Sequence, residues 1–200
     1  MVDEQLRPHG VIDERILAAM AELPREEFVP KALRRHAYAD HPLAIGGGQT
    51  ISQPLVVGAA TQALSPQPGD LVLEVGAGSG YQVAVLARLC RRVIGIEIDH
   101  GLATRCAATL ARLGVNNAEI HEGDGSLGWP PAAPYDGIVV SAAAPSIPQA
   151  LIEQLAEGGR MVIPVESGRP DIQELLLCRK VGGRLRTEVM FPVRFVPLLG

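Results

Sequence analysis

Aromatic residues are scarce in this chain, at 4% of its 200 positions, and charged residues make up only 20%. The apolar content of 47% therefore rests mostly on Ala, Val, Leu and Ile, side chains suited to helices laid on a buried parallel sheet. That balance excludes a disordered chain. Cysteine is limited to Cys90, Cys106 and Cys178. No Cys-x-x-Cys pair exists, so neither a disulfide framework nor a thiolate zinc site is indicated. The five histidines show no metal-ligand spacing either, and no metal is expected. Basic blocks are also missing: Arg34-Arg35 and Arg91-Arg92 are isolated pairs, and the formal charge is −4. Nucleic acid consequently has no electrostatic footprint. No apolar run approaches the roughly 18 residues of a membrane span. Asp3, Glu4, Arg7, Asp13 and Glu14 interrupt the start, which excludes a signal-peptide apolar region. The expectation is a cytoplasmic protein with neither membrane nor nucleic acid as partner.

No repeat, low-complexity tract or long linker divides the chain, and its length favours one domain spanning 1–200. Within it, 1–69 reads as a helical segment and 70–200 as an α/β core. Residues 11–23 have helical spacing, with Asp13 as candidate N-cap and Pro24 as the stop. Residues 28–38 read as a short helix, and 41–50, holding Gly46-Gly47-Gly48, as irregular. Ser52 is placed to cap a helix running to Leu64, with Pro54 tolerated in its first turn. From Asp70 onward strands and helices alternate: strands at 71–75, 92–97, 118–121, 135–140 and 160–165, helices at 79–89, 102–113 and 148–155. Two further apolar runs, 172–178 and 188–196, have no helix between them. The expected fold is α/β, a doubly wound, mostly parallel seven-stranded sheet with an antiparallel C-terminal edge hairpin and an N-terminal helical segment.

The strongest local signal is Glu74-Val75-Gly76-Ala77-Gly78-Ser79-Gly80, between a predicted strand and a predicted helix. Glycines there let the backbone turn sharply and bring its amides close to a ligand. Glu97 ends the next strand, where a carboxylate can accept both hydroxyls of a ribose. Glu74 at the head of the motif would repel a pyrophosphate but suits a sulfonium with an amino-acid tail. S-adenosyl-L-methionine is thus favoured over NAD. Gly123-Asp124-Gly125 ends the third strand, with an acid able to accept from an adenine amino group.

At this point the sequence resembles the protein-L-isoaspartate (D-aspartate) O-methyltransferase family, a resemblance running almost end to end. It is carried by Arg7-Pro8-His9-Gly10-Val11-Ile12-Asp13, Pro24-Arg25-Glu26-Glu27-Phe28-Val29-Pro30 and Ala37-Tyr38-Ala39-Asp40. Gly48-Gln49-Thr50-Ile51-Ser52-Gln53-Pro54, Gly76-Ala77-Gly78-Ser79-Gly80-Tyr81-Gln82, Gly123-Asp124-Gly125 and Phe195-Val196-Pro197-Leu198 complete it. The glycine motif alone fits any class I methyltransferase; the 49–54 stretch and the ending are far more specific. The resemblance implies a class I methyltransferase-like sheet whose last two strands are exchanged in order. It implies methyl transfer from S-adenosylmethionine to the free carboxylate of L-isoaspartyl residues in damaged proteins and peptides, with D-aspartyl residues as a further acceptor, repair then proceeding through a succinimide. Ser52 matches the active-site serine. Thr50, Ile51, Ser52, Gly76, Gly78, Glu97, Asp124, Gly125 and Gln173 match cofactor-binding positions, and Val196, Pro197 and Leu198 a segment that contacts substrate backbone. A monomer is expected.

The chain departs from the family at Gly47, where Tyr is common, at Leu55, where an aromatic residue or His is usual, and at Glu166, where Gly is usual. The quieter readings are a packed Tyr38, a surface Arg194, structural or exposed histidines, a small core residue at Cys106 and a helix cap at Asp99. Two competing functions share the scaffold: a carboxyl methyltransferase dedicated to one peptide, and a non-catalytic S-adenosylmethionine-binding module. Ser52, Glu97 and Asp124 together argue against the second.

Overall fold

The Asp13 carboxylate accepts a hydrogen bond from the Arg15 amide at 2.9 Å and so caps α1 (Glu14–Glu22), which buries Ile16, Leu17, Ala19 and Met20. The computed structural model of the chain describes residues 1–169 and 172–200. The helix expected over 28–38 is instead two 3-10 turns, Arg25–Phe28 and Lys31–His36. Pro30 stands between them, and its missing N–H prevents a continuous ladder. The stretch expected to be irregular is a hairpin: β1 (Leu43–Gly46) pairs antiparallel with β2 (Gln49–Ile51). Gly46, Gly47 and Gly48 take φ of +97°, +61° and +74°, the left-handed backbone that lets a chain reverse tightly. Leu43, Ile45 and Ile51 point into the core. The following helix, α2 (Pro54–Leu64), has Pro54 in its first turn and Gln53 at its N-cap, with no side-chain cap bond. Ser52 therefore does not cap it, a correction that frees its hydroxyl.

β3 (Leu71–Val75) is buried at every position, as a strand covered on both faces must be. Along the chain follow α3 (Tyr81–Ala87), β4 (Arg92–Glu97), α4 (His100–Arg112), β5 (Ala118–Glu122), β6 (Tyr135–Val140), α5 (Gln149–Gln154), β7 (Leu155–Glu166), β8 (Gln173–Val181) and β9 (Arg184–Val193). Asp99 caps α4, accepting from the Leu102 amide at 2.7 Å. The sheet runs β5-β4-β3-β6-β7-β8-β9. Pairs from β5 through β7 are parallel; β7–β8 and β8–β9 are antiparallel. The terminal hairpin thus extends the sheet in sequence order, turning at Gly182 and Gly183.

Alternate residues divide two apolar layers. Val72, Val93, Val139 and Val162 pack with α1 to α4 and the β1–β2 hairpin, while Leu73, Ile94, Ile138 and Met161 pack with Leu151 of α5. Residues 1–69 share the first layer, so the N-terminal segment is pinned against the sheet. Strand order reverses between β4 and β6 on either side of β3, which opens a crevice at the carboxyl ends of those strands. After β9 the chain leaves the sheet and crosses that crevice. The Ala143 amide donates to the Val196 carbonyl at 2.8 Å, and the Leu198 amide to the Ala143 carbonyl at 2.7 Å. Among the described residues no helix is long and apolar enough to cross a membrane.

Candidate active site

Gly76, Gly78 and Gly80 take φ of +79°, +54° and +88°, conformations that a side chain would strain. The turn they form sits at the end of β3, with the Gly76 and Ala77 amides anchored on the Ile96 carbonyl at 2.9 Å. The Gly78 amide donates to Glu97 Oε2 at 2.8 Å, and the Asp99 amide to Glu97 Oε1 at 3.0 Å. Glu97 is 5% exposed; each of its oxygens keeps a second lone pair for an incoming hydroxyl. Gly76, Ala77, Gly78, Ile96 and Glu97 wall a cavity of about 710 Å³ of empty volume, part of it open to solvent, together with Thr50, Ile51, Ser52, Gly125 and the tail residues Val196, Pro197 and Leu198.

The charge pattern of this cavity is one-sided. Glu74 and Glu97 line it, and among the described residues no Lys, Arg or His does. Glu74 is 1% exposed. It accepts from the Ser141 hydroxyl at 3.3 Å, while its Oε2 has no partner among the described residues. Burial, with Glu97 nearby, pushes the Glu74 carboxyl well above the ordinary range despite the Ser141 bond. A cationic ligand suits such a wall and a pyrophosphate does not.

A second, wider groove of about 1570 Å³ of empty volume, open to solvent, adjoins the first. Its walls are mainly apolar, with Leu55, Val56, Ala59, Phe191 and Phe195 among them, and His9 and Arg194 also border it. Thr50, Ser52, Ser141 and Val196 line both spaces. Ser52 is held from behind: its carbonyl accepts from Arg25 Nη2 at 2.7 Å. Arg25 is wholly buried, donates through Nε to the Ala37 carbonyl at 2.7 Å and lies 4.5 Å over the Tyr81 ring. Its charge is desolvated, which lowers its pKa; carbonyls and an aromatic face replace water. The Ser52 hydroxyl itself makes no hydrogen bond to a described residue, which leaves it available to a ligand.

Two of the expected cofactor residues lie off this wall. Asp124 caps the 3-10 turn Gly125–Leu127, accepting from the Ser126 amide at 2.8 Å, and Gly200 packs against its carboxylate. Gln173 clamps the backbone of Phe195, accepting from its amide at 2.6 Å and donating to its carbonyl at 3.2 Å. It therefore fixes the start of the tail rather than facing the cavity. Of the three departures, Leu55 lines the groove, Gly47 sits in the hairpin turn and Glu166 is exposed at the end of β7. Sequence reasoning missed Ser141 and Arg25. Ser141 follows β6, and only the strand order brings it beside Glu74; Arg25 precedes Glu26 and Glu27, a charged run that reads as solvated surface.

Fold and site together define a class I methyltransferase domain. The sequence model of the protein-L-isoaspartate (D-aspartate) O-methyltransferase family matches residues 1–200. A protein-L-isoaspartate O-methyltransferase of Methanoregula boonei is 52% identical over 200 residues, covering 100% of this chain and 91% of its own. A solved protein-L-isoaspartate O-methyltransferase superposes with a TM-score of 0.89 at 30% identity, over 100% of this chain and 66% of that one. A Plasmodium falciparum protein assigned to the same family, solved with S-adenosyl-L-homocysteine, superposes with a TM-score of 0.85 at 26% identity, over 99% of this chain and 96% of its own. The chain belongs to the protein-L-isoaspartate (D-aspartate) O-methyltransferase family, and its cofactor is S-adenosyl-L-methionine.

Proposed function

We propose that this chain methylates the free carboxylate of L-isoaspartyl residues in damaged proteins and peptides, with D-aspartyl residues as a further acceptor. The observation that carries the reading is the shared wall: Thr50, Ser52, Ser141 and Val196 line both the cofactor cavity and the open groove. Donor and acceptor would meet along that wall.

S-adenosylmethionine supplies an electrophilic methyl group on a positively charged sulfur. Glu97 accepts the ribose hydroxyls, Gly76 and Gly78 admit the ligand against the backbone, and Thr50 and Ile51 close its near side. Gly125 borders the adenine end, and Asp124 positions that turn. The isoaspartyl carboxylate is ionised at neutral pH, its pKa lying near ~4, so no general base is required. Ser52 donates its hydroxyl to one carboxylate oxygen and aims the other at the methyl carbon. Bound there, S-adenosylmethionine would give up its methyl as the new O–C bond forms and the S–C bond breaks, the electron pair staying with sulfur. Val196, Pro197 and Leu198 hold the acceptor backbone, and Gln173 steadies them through Phe195. An acceptor peptide laid along the mainly apolar groove covers the reacting atoms and displaces water from them. The adjacent backbone nitrogen then attacks the ester carbonyl, forming the ring C–N bond as methanol leaves with the amide proton, and water opens the succinimide at either carbonyl to give aspartyl and isoaspartyl forms.

Cys90, Cys106 and Cys178 are unpaired and buried, which fits the reducing cytoplasm. The test is a pair of peptides differing only at one linkage, isoaspartyl or aspartyl, incubated with methyl-labelled S-adenosylmethionine. Label enters the isoaspartyl peptide and leaves its twin almost untouched; equal labelling of both, or of neither, overturns the reading.

A further inference from the structure

Gln82 lies in the first turn of α3 and is 7% exposed. It lines the candidate cofactor cavity, as do Glu74, Ser52 and Ser141, and it also lines a smaller space that Ser52 and Ser141 share. Its amide orientation is dictated by a relay. The Thr61 hydroxyl donates to the Val57 carbonyl at 2.7 Å, so its single proton is committed and its oxygen is left to accept. Gln82 Nε2 fills that vacancy at 2.8 Å. An amide whose nitrogen is held on one side turns its carbonyl oxygen to the other. Gln82 Oε1 has no hydrogen-bond partner among the described residues and is not sealed from the cavity. Glu74, whose Oε2 has no partner among the described residues, lines the same cavity, and none of the described residues lining it is cationic.

We propose that Gln82 distinguishes the charged methyl donor from its neutral, demethylated product. A carbonyl dipole attracts a sulfonium and is nearly indifferent to a thioether of the same shape. Its place beside Ser52 and Ser141, where the two spaces join, sets that dipole near the atom whose charge changes in the reaction. The donor is therefore held by an attraction that vanishes on methyl transfer, which favours product release. Thr61 is the positioning residue: without its hydroxyl the amide is free to rotate.

The inference concerns the cofactor and is independent of the acceptor, so binding without peptide tests it. Calorimetry is run with S-adenosylmethionine and with S-adenosylhomocysteine on the parent chain, Gln82→Leu and Thr61→Val. Gln82→Leu weakens the methylated ligand about tenfold, the loss of one favourable contact to a charged group, and the demethylated ligand less than about twofold. Thr61→Val moves the ratio of the two affinities in the same direction by a smaller factor. The demethylated ligand is the internal control, because damage to the cavity as a whole weakens both. Should Gln82→Leu fail to fold, Thr61→Val carries the comparison alone. An unchanged ratio, through equal losses or no loss, overturns the proposal.

Discussion

Ser52 has two neighbours that decide its role. Arg25 fixes its carbonyl from behind, and Gln53 takes the N-cap position of α2, so the hydroxyl has no structural duty. Ser52→Ala accordingly lowers the single-turnover rate about 10- to 100-fold, the loss of one hydrogen bond to a charged group in the transition state. Cofactor affinity changes less, and the melting temperature holds. A clear fall in melting temperature with a normal rate would contradict this. Glu74 makes a separate prediction. Its carboxyl titrates above the ordinary value of 4.5 in the folded chain, so over the window between the unfolded and folded pKa the native state binds the extra proton. Stability from this group then falls as pH rises through that window. Glu74→Gln removes the dependence, so in urea unfolding the variant gains on the parent as pH rises above the ordinary carboxyl value of 4.5. Parallel stability profiles for the two would show that Glu74 is not desolvated.

At the scale of elements, the glycine turn between β3 and α3 was legible because its chemistry is local: positive-φ positions announce themselves as Gly76, Gly78 and Gly80. Gly80 also faces a neighbour, since a Cβ there meets Cys106 Sγ at 2.7 Å. Gly114 has φ of +70° with nothing within 4 Å of its Cβ position and isolates the backbone cost alone. Gly114→Ala costs about 1–2 kcal/mol, or roughly 2–8 °C in a chain of this size. Gly80→Ala loses that and more, as calorimetric melting reads; equal losses would mean that Cys106 yields freely. The β1–β2 hairpin was not legible. Three consecutive glycines hide an alternation only as long as Leu43 and Ile45, and its partner Ile51 becomes a strand through burial rather than propensity. Residues 28–38 misled in the opposite direction: their apolar spacing suits a helix, but Pro30 breaks the ladder.

Across the whole molecule, alternation from Asp70 onward marked out the parallel core and the antiparallel ending, and several motif positions line the cavity at the glycine turn. What sequence order hides is adjacency. Ser141 reaches Glu74 only because β6 lies beside β3, and Val196 to Leu198 reach the crevice only because the tail leaves the sheet to pair with Ala143. Arg25 under Ser52 and Gln82 against Thr61 are likewise contacts between separate parts of the chain. We propose that together these pieces deliver a methyl group to a carboxylate oxygen of an isoaspartyl residue. Time-resolved mass spectrometry of an isoaspartyl peptide with enzyme and S-adenosylmethionine tests this. The peptide gains one methyl, then loses methanol to give a succinimide, then becomes mixed aspartyl and isoaspartyl peptides. A methyl group that persists under mild base, or that maps to any atom other than the isoaspartyl carboxylate, would contradict it.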